Sequence, residues 1–320
     1  MVSRLLIALR AALWCGLAIL LAANAITWIA SDSVIGDAFS HFQLHYAALA
    51  FASCLVCTLL SRRLALAALL TGMVSTASAT IYPFAPISAP DGGPTLRVMT
   101  INVLYRRGNE KPVIDAVRAA RPDVVLLQEY RPWMRRIERD LRTLYPHQLT
   151  CHGVRARCGL AILSRHPFEA RGITGRRTRD GQVAWIRLGQ ALGGVTIGTV
   201  HLRWPLVSDQ ARQLDVAANA LAHAAQGGPI LLGGDFNAAP WSGVLQRFAR
   251  DYRLLPAGSY RPTWPARDFR SGQRCRLCIP HLQIDHLFVS AGLKVTRRKV
   301  GRDVGSDHLP LIVDVELTKI

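Results

Sequence analysis

Residues 229–237 read Pro229-Ile-Leu-Leu-Gly-Gly-Asp235-Phe-Asn237. The stretch is a short apolar run of strand type, broken by a glycine pair and closed by an acid and an amide. Alone, Asp235 is no more than a turn residue. Outward along the chain the same arrangement recurs. Leu96–Val103 carries Asn102 near its end, and Val124–Gln128 runs into Glu129. Val195–Val200 is followed by His201, and Ile284–Val289 contains Asp285 and His286. Ser306-Asp307-His308 precedes Leu311–Val315, while Gly159–Leu163 and Val183–Leu188 are further strand-type runs. Helical periodicity covers Lys111–Ala120, Pro132–Leu144, Asp209–Ala225 and Ser242–Arg250. Strands and helices mix without strict alternation, which predicts an α+β sandwich and not a doubly wound parallel sheet.

A lone His or a Glu after a strand is ordinarily structural or solvated. Acids, amides and histidines at successive strand ends are another matter, because groups on the rims of a rigid sheet are held in fixed positions, as catalysis requires. The segments Thr100-Ile-Asn102, Pro122-Asp-Val-Val-Leu-Leu-Gln-Glu129, Gly159-Leu-Ala-Ile-Leu-Ser164, Thr199-Val-His201, Gly233-Gly-Asp235-Phe-Asn237, Ile284-Asp285-His286 and Gly305-Ser-Asp307-His308 resemble, in order, the endonuclease/exonuclease/phosphatase superfamily of DNase I-like nucleases, neutral sphingomyelinases and inositol-polyphosphate phosphatases. The resemblance spans residues 97–317. It implies a four-layered α/β/β/α sandwich that hydrolyses phosphate esters, with the chemistry divided among named residues. Glu129 is implied as the principal metal ligand, with Asn102 and Asp307 close to the metal or its waters. Asp235 would orient and deprotonate the attacking water, and Asn237 would donate to the phosphate. His308, oriented by Asp285, would contact the phosphate or act as acid–base, and His201 would bind a phosphoryl oxygen or protonate the leaving group. Hydrolysis builds negative charge on phosphoryl and leaving oxygens, which suits a hard, oxygen-seeking cation: Mg²⁺, or Mn²⁺ in its place. Leu104 stands where abasic-site endonucleases of the superfamily carry an Asp, and the His201 segment lacks their Tyr. Both departures disfavour DNA repair.

Charge narrows the partners without choosing among them. The 320 residues carry 39 Lys and Arg against 21 Asp and Glu, a net +18. Only Arg4, Arg10, Asp32, Asp37, Arg62 and Arg63 are charged in the first 83 residues, so +16 falls on the remainder. Such a domain attracts nucleic acid, phospholipid head groups or other phosphate esters. Trp204, Trp264, the loop 260–270 and Arg165, Arg176, Arg177 and Arg179 are candidates for a substrate rim.

The N-terminal 83 residues read as a membrane anchor with spans near 11–30, 42–60 and 64–81. The alternative for the first is a signal peptide with Ala23-Asn24-Ala25 as its cleavage site. The Arg pairs before the first span and between the later two place those segments in the cytoplasm. Everything after the third span then faces the periplasm or exterior. Residues 84–95, with three Pro and two Gly, read as a linker to a catalytic domain over 96–320. Cys151, Cys158, Cys275 and Cys278 would form two disulfides in an oxidising compartment, most simply 151–158 and 275–278, with a zinc site or redox motif as weaker readings of Cys275-x-x-Cys278. A binding protein that kept the fold without turnover is the alternative to an enzyme. It would be expected to lack one of Glu129, Asp235, Asp285, Asp307 or His308, and all five are present.

Overall fold

The computed structural model describes residues 2–31, 33–105, 110–151, 158–174, 182–207, 209–268, 271, 273 and 281–318. The chain forms two compact units: Met1–Tyr82 with Ala238–Arg247, and Pro83–Asn237 with Phe248–Ile320.

The N-terminal part of the first unit forms the helices α1 (Val2–Ile29), α2 (Val34–Ser40), α3 (Gln43–Thr58) and α4 (Arg62–Thr80). Ser33 accepts a hydrogen bond from the Gly36 N–H and starts α2. A side chain at Gly72 would put its Cβ 2.7 Å from the Phe51 ring, so glycine lets α3 and α4 approach closely. Asn24 Nδ2 donates to Ser75 Oγ at 2.9 Å and Gln43 Nε2 to Thr27 Oγ1 at 2.6 Å, joining apolar helices through polar contacts. Two stretches, Arg4–Ile29 and Arg62–Thr80, are long and apolar enough to cross a membrane, and an N-terminal signal sequence has the same form as the first. The span expected over 42–60 is instead a helix of 16 residues. At about 1.5 Å per residue it is roughly 24 Å long, short of a hydrocarbon core of about 30 Å.

The second unit is built on two six-stranded sheets. The first contains β1 (Thr95–Asn102), β2 (Val124–Gln128), β3 (His147–Thr150), β4 (Ala161–Ser164), β11 (Leu293–Val300) and β12 (Leu311–Leu317), in the order β11-β12-β1-β2-β4-β3. The second contains β5 (Phe168–Thr174), β6 (Val183–Leu188), β7 (Thr196–His201), β8 (Ile230–Asp235), β9 (Leu255–Pro256) and β10 (Asp285–Val289), in the order β5-β6-β7-β8-β10-β9. Each sheet has one parallel pair near its centre, β1 with β2 and β7 with β8, and its other pairs are antiparallel.

The period of two along β1 divides the cores. Leu96 and Val98 face the second sheet and join Leu126, Ile162, Ile197, Leu231 and Leu287 between the sheets. Met99 and Ile101 face outward onto Val113 and Val117 of α5 (Glu110–Ala120) and Ile137 and Leu141 of α6 (Arg135–Leu141). On the far side, Leu221 of α7 (Gln210–Ala225) lies so close to β7 that a Cβ at Gly198 would meet it at 2.6 Å. Helix, sheet, sheet and helix make the four layers. The segment expected as a free linker is tied down: Ala85 N donates to Pro256 O at 2.8 Å and Ser88 N to Val295 O at 2.9 Å. Cys151 and Cys158 are disulfide-bonded between β3 and β4. Cys275 and Cys278 lie outside the described residues.

Candidate active site

Strand register assembles the site. In the second sheet His201, Asp235 and Asp285 pair directly across β7, β8 and β10, forming one row. In the first sheet Asn102 pairs with Gln128, and Glu129 follows. Gln128 is fully buried, and its Nε2 donates to Thr100 Oγ1 at 3.0 Å and Thr199 Oγ1 at 2.8 Å, joining the sheets beneath the site. Asn102 joins them at the surface of the floor, donating from Nδ2 to Glu129 Oε1 (3.1 Å) and Asp235 Oδ2 (2.9 Å). Its Oδ1 accepts from Leu104 N at 3.0 Å.

Backbone strain is concentrated here. Leu104, Glu129 and Asn237 have φ of 48°, 55° and 47°, a region side-chain-bearing residues rarely adopt. The turn at Glu129 lets Oε2 accept the Tyr105 N–H at 3.1 Å. Burial works to raise the Glu129 pKa, but His201, the Tyr105 N–H, Asn102 and His308 together hold it below the usual value. Asp235 Oδ1 accepts the Asn237 N–H at 2.9 Å. The Asn237 amide donates to Leu202 O at 2.8 Å and lies 3.5 Å from Asp235 Oδ2, so it is directed at the protein around Asp235.

His308 is the cation of the floor. Its Nδ1 lies 2.9 Å from Asp285 Oδ2 and its Nε2 3.7 Å from Asp235 Oδ2. Burial alone would lower its pKa, but the Asp285 and Asp235 carboxylates outweigh burial and push it up to about 10. Burial raises Asp235 to about 6, against the pull of His308 and His201. His201 Nε2 stands 3.5 Å from Asp235 Oδ2 and 3.8 Å from Glu129 Oε1, on the partly open side. Asp307 is raised chiefly by burial, with Glu129 adding to the shift, while a 3.1 Å bond from Trp264 Nε1 opposes it. Ser306 Oγ donates to Asn102 O at 2.7 Å and fixes this turn against β1.

Two groups of residues could hold a cation. Asp235, Asp285 and His308 have ligand atoms within 4.8 Å of one another. There the His308 Nδ1 is already engaged by Asp285, the arrangement of an oriented imidazole. Glu129 and Asp307 offer carboxylate oxygens, which suit a hard divalent ion better than an imidazole does. Asn102 stands beside them, its Oδ1 taken by the Leu104 N–H and its Nδ2 turned to Glu129 and Asp235.

The cleft above these groups has a volume of about 620 Å³. Its lining includes Leu160 of an expected strand run, the rim candidate Trp204, and Tyr105, Arg131, Gln182 and Arg203, which the sequence did not single out. Gln182 is 6 % exposed and its Nε2 has no hydrogen-bond partner among the described residues. Of the expected rim, Trp204 and Trp264 do line the cleft, with ring centroids 5.7 Å apart. Arg165 does not. It follows β4, whose opposite end faces the site, and its guanidinium lies over Tyr145. Arg176, Arg177 and Arg179 lie outside the described residues.

Fold and site together define a two-sheet sandwich with a carboxylate, amide and histidine floor. The model of the Endonuclease/Exonuclease/phosphatase family matches residues 99–308, and the chain belongs to that family. Among solved structures, an endonuclease/exonuclease/phosphatase from Beutenbergia cavernae DSM 12333 is 23% identical, with a TM-score of 0.52, covering 70% of this chain and 72% of its own. A family protein from Bacteroides thetaiotaomicron is 16% identical with a TM-score of 0.58, covering 71% of this chain and 100% of its own. The human Nocturnin catalytic domain with bound sulfate is 19% identical with a TM-score of 0.54, covering 72% and 97%. These likenesses establish the fold. No match was found among curated proteins.

Proposed function

We propose that this chain is a membrane-tethered hydrolase of phosphate esters, dependent on Mg²⁺ or Mn²⁺, with a catalytic domain over residues 96–320 working outside the cytoplasm. The observation that carries the reading is the row His201, Asp235, Asp285, with His308 locked by Asp285 and turned toward Asp235. Glu129, Asn102 and Asp307 would hold the cation. When bound it stabilises charge on the phosphoryl and leaving oxygens.

Asp235 takes the proton of the attacking water. A carboxylate raised to about 6 is a stronger base than an ordinary one and is still mostly ionised near neutrality. His308, protonated up to about pH 10, presents its Nε2–H to a phosphoryl oxygen. His201, on the open side, is placed to protonate the leaving oxygen. Asn237, bonded to Leu202 O, fixes the turn that aims Asp235.

Outward topology needs Arg4, Arg10, Arg62 and Arg63 on one side of the membrane, which the 2.6 Å bond from Arg10 Nη2 to Leu60 O supports. The helix α3, though short, then runs inward and α4 outward as a pair. Alkaline phosphatase fused after Ile320 should be active, and a reporter that works only in the cytoplasm should be silent. The reverse pattern would overturn the topology. For the activity, purified chain should hydrolyse bis(p-nitrophenyl) phosphate with Mg²⁺. Turnover that survives Asp235→Asn unchanged would refute the site.

A further inference from the structure

Exposed apolar surface on the catalytic unit is not scattered. Among the described residues, eight large hydrophobics of that unit are exposed. Tyr105 (49 %) and Trp204 (44 %) line the cleft, and Trp133 (46 %) and Leu206 (71 %) stand two residues along the chain from the lining residues Arg131 and Trp204. They stand on opposite lips. Tyr105 and Trp133 belong to segments that follow strands of the first sheet, and Trp133 Nε1 donates to Tyr105 O at 3.0 Å, joining those segments. Trp204 and Leu206 follow β7 of the second sheet. Between them Arg131 and Arg203 line the same cleft.

We infer that this mouth docks on an anionic lipid surface, so that the enzyme takes its phosphate ester from a lipid. The inference rests on the phosphoester-hydrolase reading above. Trp and Tyr favour the head-group level, where one end of the ring is wet and the other dry. Arg carries its charge there while its stem lies along apolar matter. Anionic head groups complement both the two arginines and the basic balance of the domain. A nucleic-acid groove would use the aromatic faces and the cations, but it has no use for a leucine that is 71 % exposed. A lipid surface uses all six groups. The same chain carries helices able to cross a membrane, which would keep the domain at a bilayer.

The test uses full-length protein and two esters with one reacting group: hexadecyl p-nitrophenyl phosphate in mixed micelles with phosphatidylglycerol, and soluble methyl p-nitrophenyl phosphate. Leu206→Glu puts an anion at the lip and touches none of the groups of the floor. It should lower kcat/KM for the hexadecyl ester by about tenfold or more, the scale of one buried leucine, and leave the methyl ester unchanged. Equal change on both esters, or none on either, overturns the inference, as does selective loss of cleavage of a single-stranded oligonucleotide.

Binding is read without turnover in nanodiscs of brominated phosphatidylglycerol. The fluorescence lost on Trp133→Phe and on Trp204→Phe should belong to quenched residues. That lost on Trp185→Phe should not, because Trp185 packs over Gly172 within the second sheet. Unquenched Trp133 and Trp204 also overturn the inference. If neither ester is hydrolysed while both tryptophans are quenched, the hydrolase reading fails and the docking stands.

Discussion

The floor and the mouth of the cleft are built on opposite principles. On the floor Asp235, Asp285 and His308 are at most 5 % exposed, and each is held by partners from a different strand. At the mouth Tyr105, Trp133, Trp204 and Leu206 are 44–71 % exposed, on segments that follow the strands. A charge on the floor is fixed because moving it would strand another buried charge, which is costly. A side chain at the mouth has fewer ties, such as Trp133 Nε1 to Tyr105 O, and none of them holds a buried charge of the floor directly. Chemistry and recognition are therefore separable, and substitutions should reveal the separation.

The largest effects belong to the floor. Asp235→Asn and His308→Ala should each lower kcat by about 10²–10⁴-fold, the range of general acid–base groups. Because Asp285 acts through His308, the Asp285→Ala, His308→Ala pair should be little worse than His308→Ala alone. Additive losses in the double variant would break the oriented-pair account. Glu129→Gln should also fall steeply but recover in part with excess Mg²⁺, whereas Asp235→Asn should not.

A pH profile sharpens the contrast next. His308 is raised to about 10 by Asp285 and Asp235, so loss of its proton sets the basic limb near there. Asp285→Asn removes an anion that favours the imidazolium, so the basic limb should move toward neutrality. Stability has the matching sign. The His308 contribution is complete below its unfolded value, about 6.5, and is lost as pH rises through about 10. Asp235 is also raised, to about 6, so its ionised form destabilises the fold as pH rises through about 4 to 6. Asp235→Asn removes one of the anions that hold the His308 imidazolium, so in EDTA the stability lost as His308 deprotonates should be lost at lower pH than in wild type. A stability profile against pH that matches wild type would contradict the coupling.

The smallest effect belongs to the mouth. Trp133→Ser should leave turnover of bis(p-nitrophenyl) phosphate within about threefold of wild type, since surface changes rarely propagate far.

The same division governs what could be read from residues alone. Every strand expected from an apolar run is an interior strand: β1, β2, β4, β6, β7, β8, β10 and β12. The four that were not expected, β3, β5, β9 and β11, are the sheet edges. Interior strands are mostly buried and rich in apolar residues, most completely in Val124–Gln128, buried at all five positions. Edge strands carry charge that discourages further pairing, as in β11, Leu-Lys-Val-Thr-Arg-Arg-Lys-Val. The floor residues were legible because they end interior strands. Tyr105, Arg131 and Gln182 were not, since they sit beyond or between strands and only the folded backbone brings them to the cleft. Arg165 shows the limit of proximity in sequence: it adjoins a strand of the site but at the end that points away.

If Glu129, Asn102 and Asp307 hold a divalent cation beside the Asp235 and His308 pair, the cation and the hydrolysis of phosphate esters must rise and fall together. Isothermal titration of Mn²⁺ into EDTA-treated, detergent-purified full-length protein, run beside bis(p-nitrophenyl) phosphate hydrolysis on the same samples, measures both. Binding should saturate and weaken at least tenfold in Glu129→Gln, with turnover rising in step with occupancy in wild type and absent in Asp235→Asn despite binding. Hydrolysis that persists in EDTA, or Mn²⁺ binding unaffected by Glu129→Gln, would overturn the assignment.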